Sequence, residues 1–133
     1  MSMIDSQVAT ALFDELRALP GYAYVATPYS KYPDGIEAAF VEACKVTAFL
    51  IRNGVLAFCP IAHTHPVAIH GGIDPLSHEI WIPADAPLMD GATSLVVCMM
   101  ESWRESYGIG VEIEAFKAAG KPIFYMPWED QGE

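Results

Sequence analysis

The stretch that decides the fold is SLVVCMMESWRESYGIGVEIEAFKAAGKPIFYMP, residues 94–127. It begins with a continuous apolar run, 94–100, and ends with another, 121–127. Between them a polar loop leads into a helical pattern from about Gly108 to Ala119, which Gly120 closes. Two apolar strands joined by a helix are typical of a parallel sheet that helices cover on both faces.

Two more apolar runs upstream predict two more strands of the same sheet, YAYVAT at 22–27 and VLAFCPI at 55–61. The chain between them predicts a helix that starts near Asp34, with Glu37 completing a capping box. The predicted inner face of this helix consists of Ile36, Phe40, Cys44, Thr47 and Ile51. We therefore predict one α/β domain, residues 1–133, built on a doubly wound parallel sheet.

Three other segments complete the predicted architecture. Residues 1–20 form an extra amphipathic helix before the sheet domain, 21–133, and Pro20-Gly21 ends its pattern. The histidine-rich stretch AHTHPVAIHGGID, 62–74, is predicted to be a loop. Residues 75–92 contain three prolines, which favour short helical turns around HEIWI and APLMD over one long helix.

The charge balance limits the possible partners. Seventeen acidic residues face seven basic ones, for a formal net charge of −10. Nucleic acids and acidic membranes attract concentrated positive charge, so neither is an expected partner. A small anionic ligand is less restricted, because backbone N–H groups at a helix start can hold one phosphate.

The cysteines and the N-terminal residues indicate a cytoplasmic protein. Cys44, Cys59 and Cys98 lie in apolar runs and are predicted to be buried thiols in a reducing compartment. The first residues, MSMIDSQVATALFDEL, carry acids where a signal peptide would need lysines, and no apolar run approaches about 18 residues. The hydrophobic fraction of 53% and the extra helix predict buried subunit interface, hence a homo-oligomer, a dimer or a tetramer.

One charged residue lies on the apolar face of the last predicted helix. On a helical wheel at about 100° per residue, Glu112 falls between Ile109 and Phe116, while Glu114 and Lys117 lie opposite. A carboxylate on the core side is costly unless it is paired or faces a cavity. In parallel sheets such cavities open where strands end and the next helices begin, and the helix dipole there favours an ionised carboxylate. Glu112 is therefore a candidate nucleophile, and a buried Glu paired with Arg104 or capping the helix start is the alternative.

The segment SYGIGVEIEAF, 106–116, followed by GKPI, 120–123, resembles the nucleoside 2-deoxyribosyltransferase superfamily. YVATPYS, the His-Pro dipeptide and DAPLMD are similar to an uncharacterised bacterial branch of it. The resemblance covers most of the chain from Tyr22 to Pro127 and implies a flavodoxin-like or Rossmann-like fold. It places Gly108, Gly110 and Glu112 on a Gly-x-Gly-x-Glu motif whose Glu attacks the anomeric carbon of the sugar. It also implies that Tyr24 steadies this nucleophile.

The resemblance assigns the other roles at the glycosidic bond. Cleavage needs a carboxylate against the developing oxocarbenium ion and a proton donor for the departing base. In the family an Asp about twenty-five residues before the nucleophile serves the base, which implies Asp85, with Asp90 in reserve. Where the transferases carry an Asp six residues before the Glu, this chain has Ser106. Ser106 therefore resembles the serine of the nucleotide N-hydrolases, which contacts a 5′-phosphate, although an ordinary helix cap explains it as well.

Several further side chains are expected near this crevice. Tyr29 and Ser30 follow the first predicted strand, and Tyr29 is a candidate for stacking on a base. Trp81 is predicted to pack in the core instead. His65, which the resembled branch shares, is a candidate for contacting the ligand. The other histidines, His63, His70 and His78, lie nearby with Cys59, but their spacing fits no strong metal signature, so we expect no metal and no cofactor.

These observations predict cleavage or transfer of the N-glycosidic bond of a nucleoside or a nucleoside 5′-monophosphate through a covalent glycosyl-Glu112 intermediate. Two alternatives stay open: a non-catalytic module that binds nucleotides, and a metal-dependent hydrolase built on the histidines. The sequence does not separate hydrolysis from transfer, although Ser106 favours hydrolysis. It also does not give the base, the sugar or the number of subunits.

Overall fold

The computed structural model describes residues 6–130, with side chains from residue 10 onwards. The parts of the N-terminal helix prediction that concern residues 1–5, and of the domain prediction that concern residues 131–133, lie outside the described residues. The elements in chain order are α1 Ser6–Ala18, β1 Ala23–Ala26, α2 Ile36–Arg52, β2 Ala57–Phe58, α3 Pro60–Gly71, α4 His78–Gly91, β3 Ser94–Met99, a 3-10 turn Trp103–Glu105, α5 Tyr107–Ala118 and β4 Ile123–Pro127. No helix within residues 6–130 is long and apolar enough to cross a membrane.

The four strands form one parallel sheet in the order β2-β1-β3-β4. Tyr24 in β1 pairs with Leu95 in β3, and Val97 in β3 pairs with Tyr125 in β4. Helices cover both faces of the sheet, so the prediction of a doubly wound α/β fold is confirmed. Parallel strands buried on both faces have little use for alternating polarity, which explains the continuous apolar runs.

Alternate residues of each strand feed two separate cores. Ala23 and Val25 of β1 point to a core that α1 and α2 share, whereas Tyr24 and Ala26 point to a core shared with α5. The first core consists mainly of Leu12, Phe13, Leu16, Ala39, Ala43, Val46, Leu50, Val96, Cys98 and Met126. The second consists of Tyr24, Ala26, Ala92, Leu95, Val97, Ile109 and Phe116.

The predicted start and inner face of α2 are wrong. The helix is preceded by Gly35 at a φ of 96°, a left-handed conformation that suits glycine, so Asp34 lies one residue too early to cap it. The buried residues of α2 are Ala39, Glu42, Ala43, Val46 and Leu50. Ile51 is 55% exposed and Cys44 is exposed, so Cys44 is not the buried thiol that was predicted, whereas Cys59 and Cys98 are buried.

The segment after β1 and α2 also departs from prediction. β2 pairs over two residues, Ala57–Phe58, rather than along the whole apolar run. The predicted histidine loop is instead the helix α3, and the predicted short turns are the single helix α4. Pro60 opens α3, where a missing N–H costs nothing, while Pro66, Pro83 and Pro87 lie inside helices. Packing of these helices outweighs the local cost of proline, which sequence propensity alone does not reveal.

The strand order places a crevice at one edge of the sheet. The chain leaves β1 for α2 on one face of the sheet and leaves β3 for α5 on the other face. The connections therefore diverge at the carboxyl ends of β1 and β3, which are neighbouring strands. Such a switch point is where open parallel sheets bind ligands.

Candidate active site

An open pocket lies at this switch point, with about 760 Å³ of empty space when its solvent-open mouth is included. The loops after β1 and β3, the starts of α3 and α5, and one side of α4 form its walls. The residues that line it are Tyr24, Thr27, Tyr29, Ser30, Pro60, Ile61, Thr64, Pro75, Leu76, His78, Trp81, Ile82, Asp85, Met89, Ser106, Gly108, Val111 and Glu112.

Glu112 enters the pocket from the second turn of α5. Its helix packs on the sheet through Ile109 and Phe116, which are both 1% exposed, and this packing turns Glu112 toward the carboxyl end of β1. Tyr24 of β1 lies beneath it, with its ring packed against Phe116 at 5.8 Å between centroids. The Tyr24 side chain is fully buried, and no group within residues 6–130 forms a hydrogen bond of normal geometry with its hydroxyl. The Glu112 carboxyl lies near enough to this hydroxyl to lower its own pKa slightly.

Glu112 and Asp85 form a carboxyl pair with perturbed acidity. Burial raises the pKa of Glu112 well above its usual value, and the charge of Asp85 raises it further. Burial also raises the pKa of Asp85 to about 6, and His63 opposes this shift. Burial thus opposes the helix dipole, which was expected to favour the ionised form of Glu112. Both shifts favour the protonated forms of the two carboxyl groups when no ligand is bound.

Ser106 is the N-cap of α5 and lines the pocket as well. Its hydroxyl accepts a hydrogen bond from the N–H of Ile109 at 3.2 Å, as an ordinary cap does. Gly108, on the first turn, lines the pocket beside it. Gly110 is exposed and does not reach the pocket wall. The motif therefore contributes Gly108 and Glu112 to the site, and Gly110 stays outside it.

A second polar cluster, which we term the Tyr29 chain, consists of Tyr29, His65 and Glu37. The Tyr29 hydroxyl lies 2.5 Å from Nδ1 of His65, and Nε2 of His65 lies 2.8 Å from Oε1 of Glu37. The His65 ring also stacks on Phe40, with 4.6 Å between centroids. Burial and the charge of Glu37 raise the pKa of Tyr29 to about 12. Tyr29 and its neighbour Ser30 line the pocket, whereas His65 is 3% exposed and supports Tyr29 from behind.

Helix α4 provides a pocket wall that sequence patterns did not reveal. His78, Trp81, Ile82, Asp85 and Met89 all line the pocket from this helix. Trp81 was expected in the core, but it borders the pocket and donates from Nε1 to the carbonyl of Asp74 at 2.9 Å. The spacing of these residues is that of one helical face, and it could have identified them had the prolines not indicated a break.

Asp90, the reserve for the role of Asp85, lies at the far end of α4. Its side chain is exposed and outside the pocket wall, while its carbonyl accepts a hydrogen bond from Lys121 at 2.8 Å. The structure thus separates the two aspartates, and Asp85 is the one that shares the pocket with Glu112.

The histidines do not gather into a metal centre. Among residues 6–130, no three His, Cys, Asp or Glu side chains come together in a way that could hold a metal ion. His65 is bonded to Tyr29 and Glu37, His78 stacks on Tyr107 at 4.4 Å, and His63 is exposed. The alternative of a metal-dependent hydrolase has no cluster of ligands in this part of the chain.

The charge around the acidic groups of the pocket is incompletely balanced. Within the described residues, no lysine or arginine lines the pocket. Arg104, the partner considered for Glu112, lies over the ring of Trp103 with 4.8 Å to its centroid. His63 acts on Asp85 but only partly offsets burial, so the pKa of both carboxyl groups is raised.

Comparison with known proteins gives one family. The model of the family described as Domain of unknown function (DUF1937) matches residues 21–128, which is more than half of the chain. The match begins after α1 and ends after β4, so it contains every residue that lines the pocket. No curated protein matches the chain.

Proposed function

The chain belongs to the DUF1937 family, and we propose that it cleaves or transfers the N-glycosidic bond of a nucleoside, with Glu112 as nucleophile. One observation carries the proposal: Glu112, Asp85 and Tyr24, whose hydroxyl has no hydrogen bond of normal geometry within residues 6–130, line the same pocket at the switch point of the sheet. Enzymes that cleave glycosidic bonds commonly use a pair of carboxyl groups, one of them ionised and the other protonated. The likeness of SYGIGVEIEAF to the nucleoside 2-deoxyribosyltransferase motif supports the same assignment.

In the proposed reaction Glu112 is ionised and Asp85 holds a proton. The Glu112 carboxylate attacks the anomeric carbon while the bond to the base nitrogen breaks and its electron pair stays on the base. Asp85 donates the proton that the base needs in order to leave as a neutral molecule. Water then attacks the glycosyl ester, and Asp85 accepts a proton from it, which restores the Glu112 carboxylate. A second base in place of water gives transfer.

The state of the pair predicts the pH dependence. Protonation of Glu112 at low pH removes the nucleophile, and the raised pKa of Glu112 moves this acid limb above the ordinary value of about 4.5. Ionisation of Asp85 at high pH removes the proton that the leaving base needs. A bell-shaped profile of kcat is therefore expected.

The charge of the pocket favours nucleosides over 5′-monophosphates as substrates. A phosphate would lie beside two carboxyl groups in a pocket that no lysine or arginine lines within the described residues. The Ser106 hydroxyl and the start of α5 would be its main donors, and one N–H at that start, that of Ile109, is already donated to Ser106. We place the reaction in the cytoplasm, which the unpaired thiols of Cys59 and Cys98 support. A homo-oligomer is also part of the proposal.

The test is the release of free base from a panel of nucleosides and their 5′-monophosphates, followed by chromatography. Wild-type protein is expected to release base from nucleosides, and Glu112→Ala is expected to release none above the uncatalysed rate. Glu114→Gln, an exposed change on the same helix, is the matched control. If wild type and Glu112→Ala release base equally, Glu112 is not the nucleophile. If nothing is released while nucleosides raise the melting temperature, the pocket belongs to a binding module.

A further inference from the structure

The charged groups of the pocket all have one sign unless a histidine is protonated. Asp85 and Glu112 face the pocket, and within the described residues no lysine or arginine does so. His78 borders the mouth, but its ring is stacked on Tyr107. The whole chain adds to this field, because acidic residues outnumber basic ones by seventeen to seven. The pocket is thus suited to a ligand that brings positive charge.

Two aromatic side chains of the pocket present their rings rather than their polar atoms. The Tyr29 hydroxyl is bonded to His65, and Trp81 Nε1 is bonded to the carbonyl of Asp74. These bonds hold both polar atoms against protein partners, so the rings remain for contact with a ligand. Aromatic faces attract cations as well as flat uncharged rings.

The hydroxyl of Tyr24 favours an ionised Glu112 in the working site. Tyr24 is fully buried and lines the pocket, yet no group within residues 6–130 bonds its hydroxyl with normal geometry. Buried polar atoms nearly always have a partner, and exceptions concentrate at functional sites. When Glu112 is ionised, its carboxylate becomes the acceptor that this hydroxyl lacks.

We propose that the substrate is a nucleoside whose base already carries a positive charge, such as an N-alkylated purine nucleoside; this inference rests on the proposed glycosidic reaction. A cationic base lies favourably beside Asp85 and against the rings of Trp81 and Tyr29. It also stabilises the ionised form of Glu112, which is the nucleophilic form.

The reaction of such a substrate balances without a proton donor. Glu112 forms a bond to the anomeric carbon, the bond to the base nitrogen breaks, and its electron pair neutralises the positive base. The base leaves uncharged. Water then hydrolyses the glycosyl ester, Asp85 accepts the proton from water and passes it to solvent, and Glu112 is again a carboxylate. No proton needs to sit on Asp85 in this reaction, and both carboxyl groups act in their ionised forms.

The first arm of the test measures binding without turnover. Full-length Glu112→Gln is titrated calorimetrically at neutral pH with 1-methyladenosine, which is cationic, and with its uncharged isomer N6-methyladenosine. Because Asp85 remains, the cation is expected to bind at least about tenfold more tightly, which corresponds to about 1.4 kcal/mol. In the double variant Asp85→Asn, Glu112→Gln this preference is expected to fall, because only the aromatic rings and the charge of the rest of the chain still favour the cation. Equal affinities in the single variant, or an undiminished preference in the double variant, would overturn the inference.

The second arm measures base release by wild type, with each rate divided by the uncatalysed rate of the same nucleoside. A larger ratio for 1-methyladenosine supports the inference, and Glu15→Gln, an exposed change on α1, should leave both ratios unchanged. A larger ratio for N6-methyladenosine refutes the inference and leaves the glycosidic reaction standing. Release from neither isomer, with the binding preference intact, refutes the glycosidic reaction and supports the assignment of a cationic ligand.

Discussion

Two clusters of polar side chains border the same pocket and differ in how their polar atoms are satisfied. In the Tyr29 chain, both ring nitrogens of His65 have partners, at 2.5 Å from the Tyr29 hydroxyl and 2.8 Å from Glu37. In the other cluster, burial raises the pKa of both Glu112 and Asp85, and the charge of Asp85 raises that of Glu112 further. The Tyr24 hydroxyl there lacks a bond of normal geometry within residues 6–130. Both clusters border the pocket at the same edge of the sheet. Their position in the fold therefore does not explain why one is fully hydrogen-bonded and the other is not.

This difference indicates that the Tyr29 chain supports the structure of the pocket and that the carboxyl pair takes part in the reaction. A bonded chain of side chains stabilises one arrangement of the protein and changes little when a ligand enters. Burying two carboxyl groups close together makes their ionised forms costly in free energy. That cost is recovered when the substrate or the transition state brings positive charge. We expect variants of the carboxyl pair to change activity most and variants of the Tyr29 chain to change stability most.

The largest of these effects is the loss of activity that we expect from Asp85→Asn. The amide keeps the shape of the side chain but cannot exchange a proton, so base release from uncharged nucleosides should fall by about 100- to 10,000-fold. The alkaline limb of the pH profile should vanish with it, while an acid limb remains because Glu112 must still lose its proton. Steady-state kinetics across pH measures both, with the exposed Glu79→Gln on the same helix as control. Unchanged kcat in Asp85→Asn would remove Asp85 from the mechanism.

His65→Ala should produce the largest loss of stability. It removes both hydrogen bonds of the chain and the stacking on Phe40, and it leaves a cavity at a residue that is 3% exposed. The free energy of unfolding should fall by roughly 2–4 kcal/mol. Urea denaturation measures it, and His70→Ala, an exposed change on the same helix, should be nearly neutral. If both variants are equally stable, the Tyr29 chain does not support the pocket.

Glu112→Gln is expected to increase the free energy of unfolding, whereas His65→Ala decreases it. Burial raises the pKa of Glu112 in the folded protein, so wild type loses stability as pH rises above about 4.5, the ordinary value for this group. Gln avoids that loss, and its advantage should grow from little at about pH 4 to roughly 1–3 kcal/mol near neutrality. Thermal unfolding across pH checks the slope. An advantage that shrinks as pH rises would show that Glu112 is held ionised.

The smallest effect is expected from Glu37→Gln. The Glu37 side chain is 75% exposed, so its pairing with His65 is screened by solvent, and the amide oxygen can still accept from Nε2. The free energy of unfolding should change by less than about 0.5 kcal/mol. A loss as large as that of His65→Ala would mean that the charge of Glu37, rather than hydrogen bonding and packing, holds the chain together.

The parts of the site that the sequence predicted lie on elements with unbroken periodicity. The apolar arc of α5 made the position of Glu112 conspicuous, and the apolar runs on either side fixed the parallel sheet. The wall from α4 was missed because Pro83 and Pro87 indicate a break, whereas the structure has one helix, His78–Gly91, that contains both prolines. Local propensity therefore mispredicted this element.

The inner face of α2 shows a second limit. Glu42 is 2% exposed and accepts a hydrogen bond from Trp128 Nε1 at 2.7 Å, so a charged residue occupies the core side where Ile51 was expected. The donor lies 86 residues away along the chain. The Tyr29 chain likewise joins three separate segments. Hydrogen bonds between residues so far apart along the chain form only in the folded protein. The spacing of residues within one segment does not predict them.

The most direct test of the glycosidic mechanism is intact-protein mass spectrometry after rapid acid quench of wild type with a cleavable nucleoside. A covalent intermediate predicts a mass increase of one glycosyl group, located by peptide mapping on the peptide that contains Glu112 and absent from Glu112→Gln. Base release by wild type without any such adduct at the shortest times, or an adduct on another residue, would contradict Glu112 as the nucleophile.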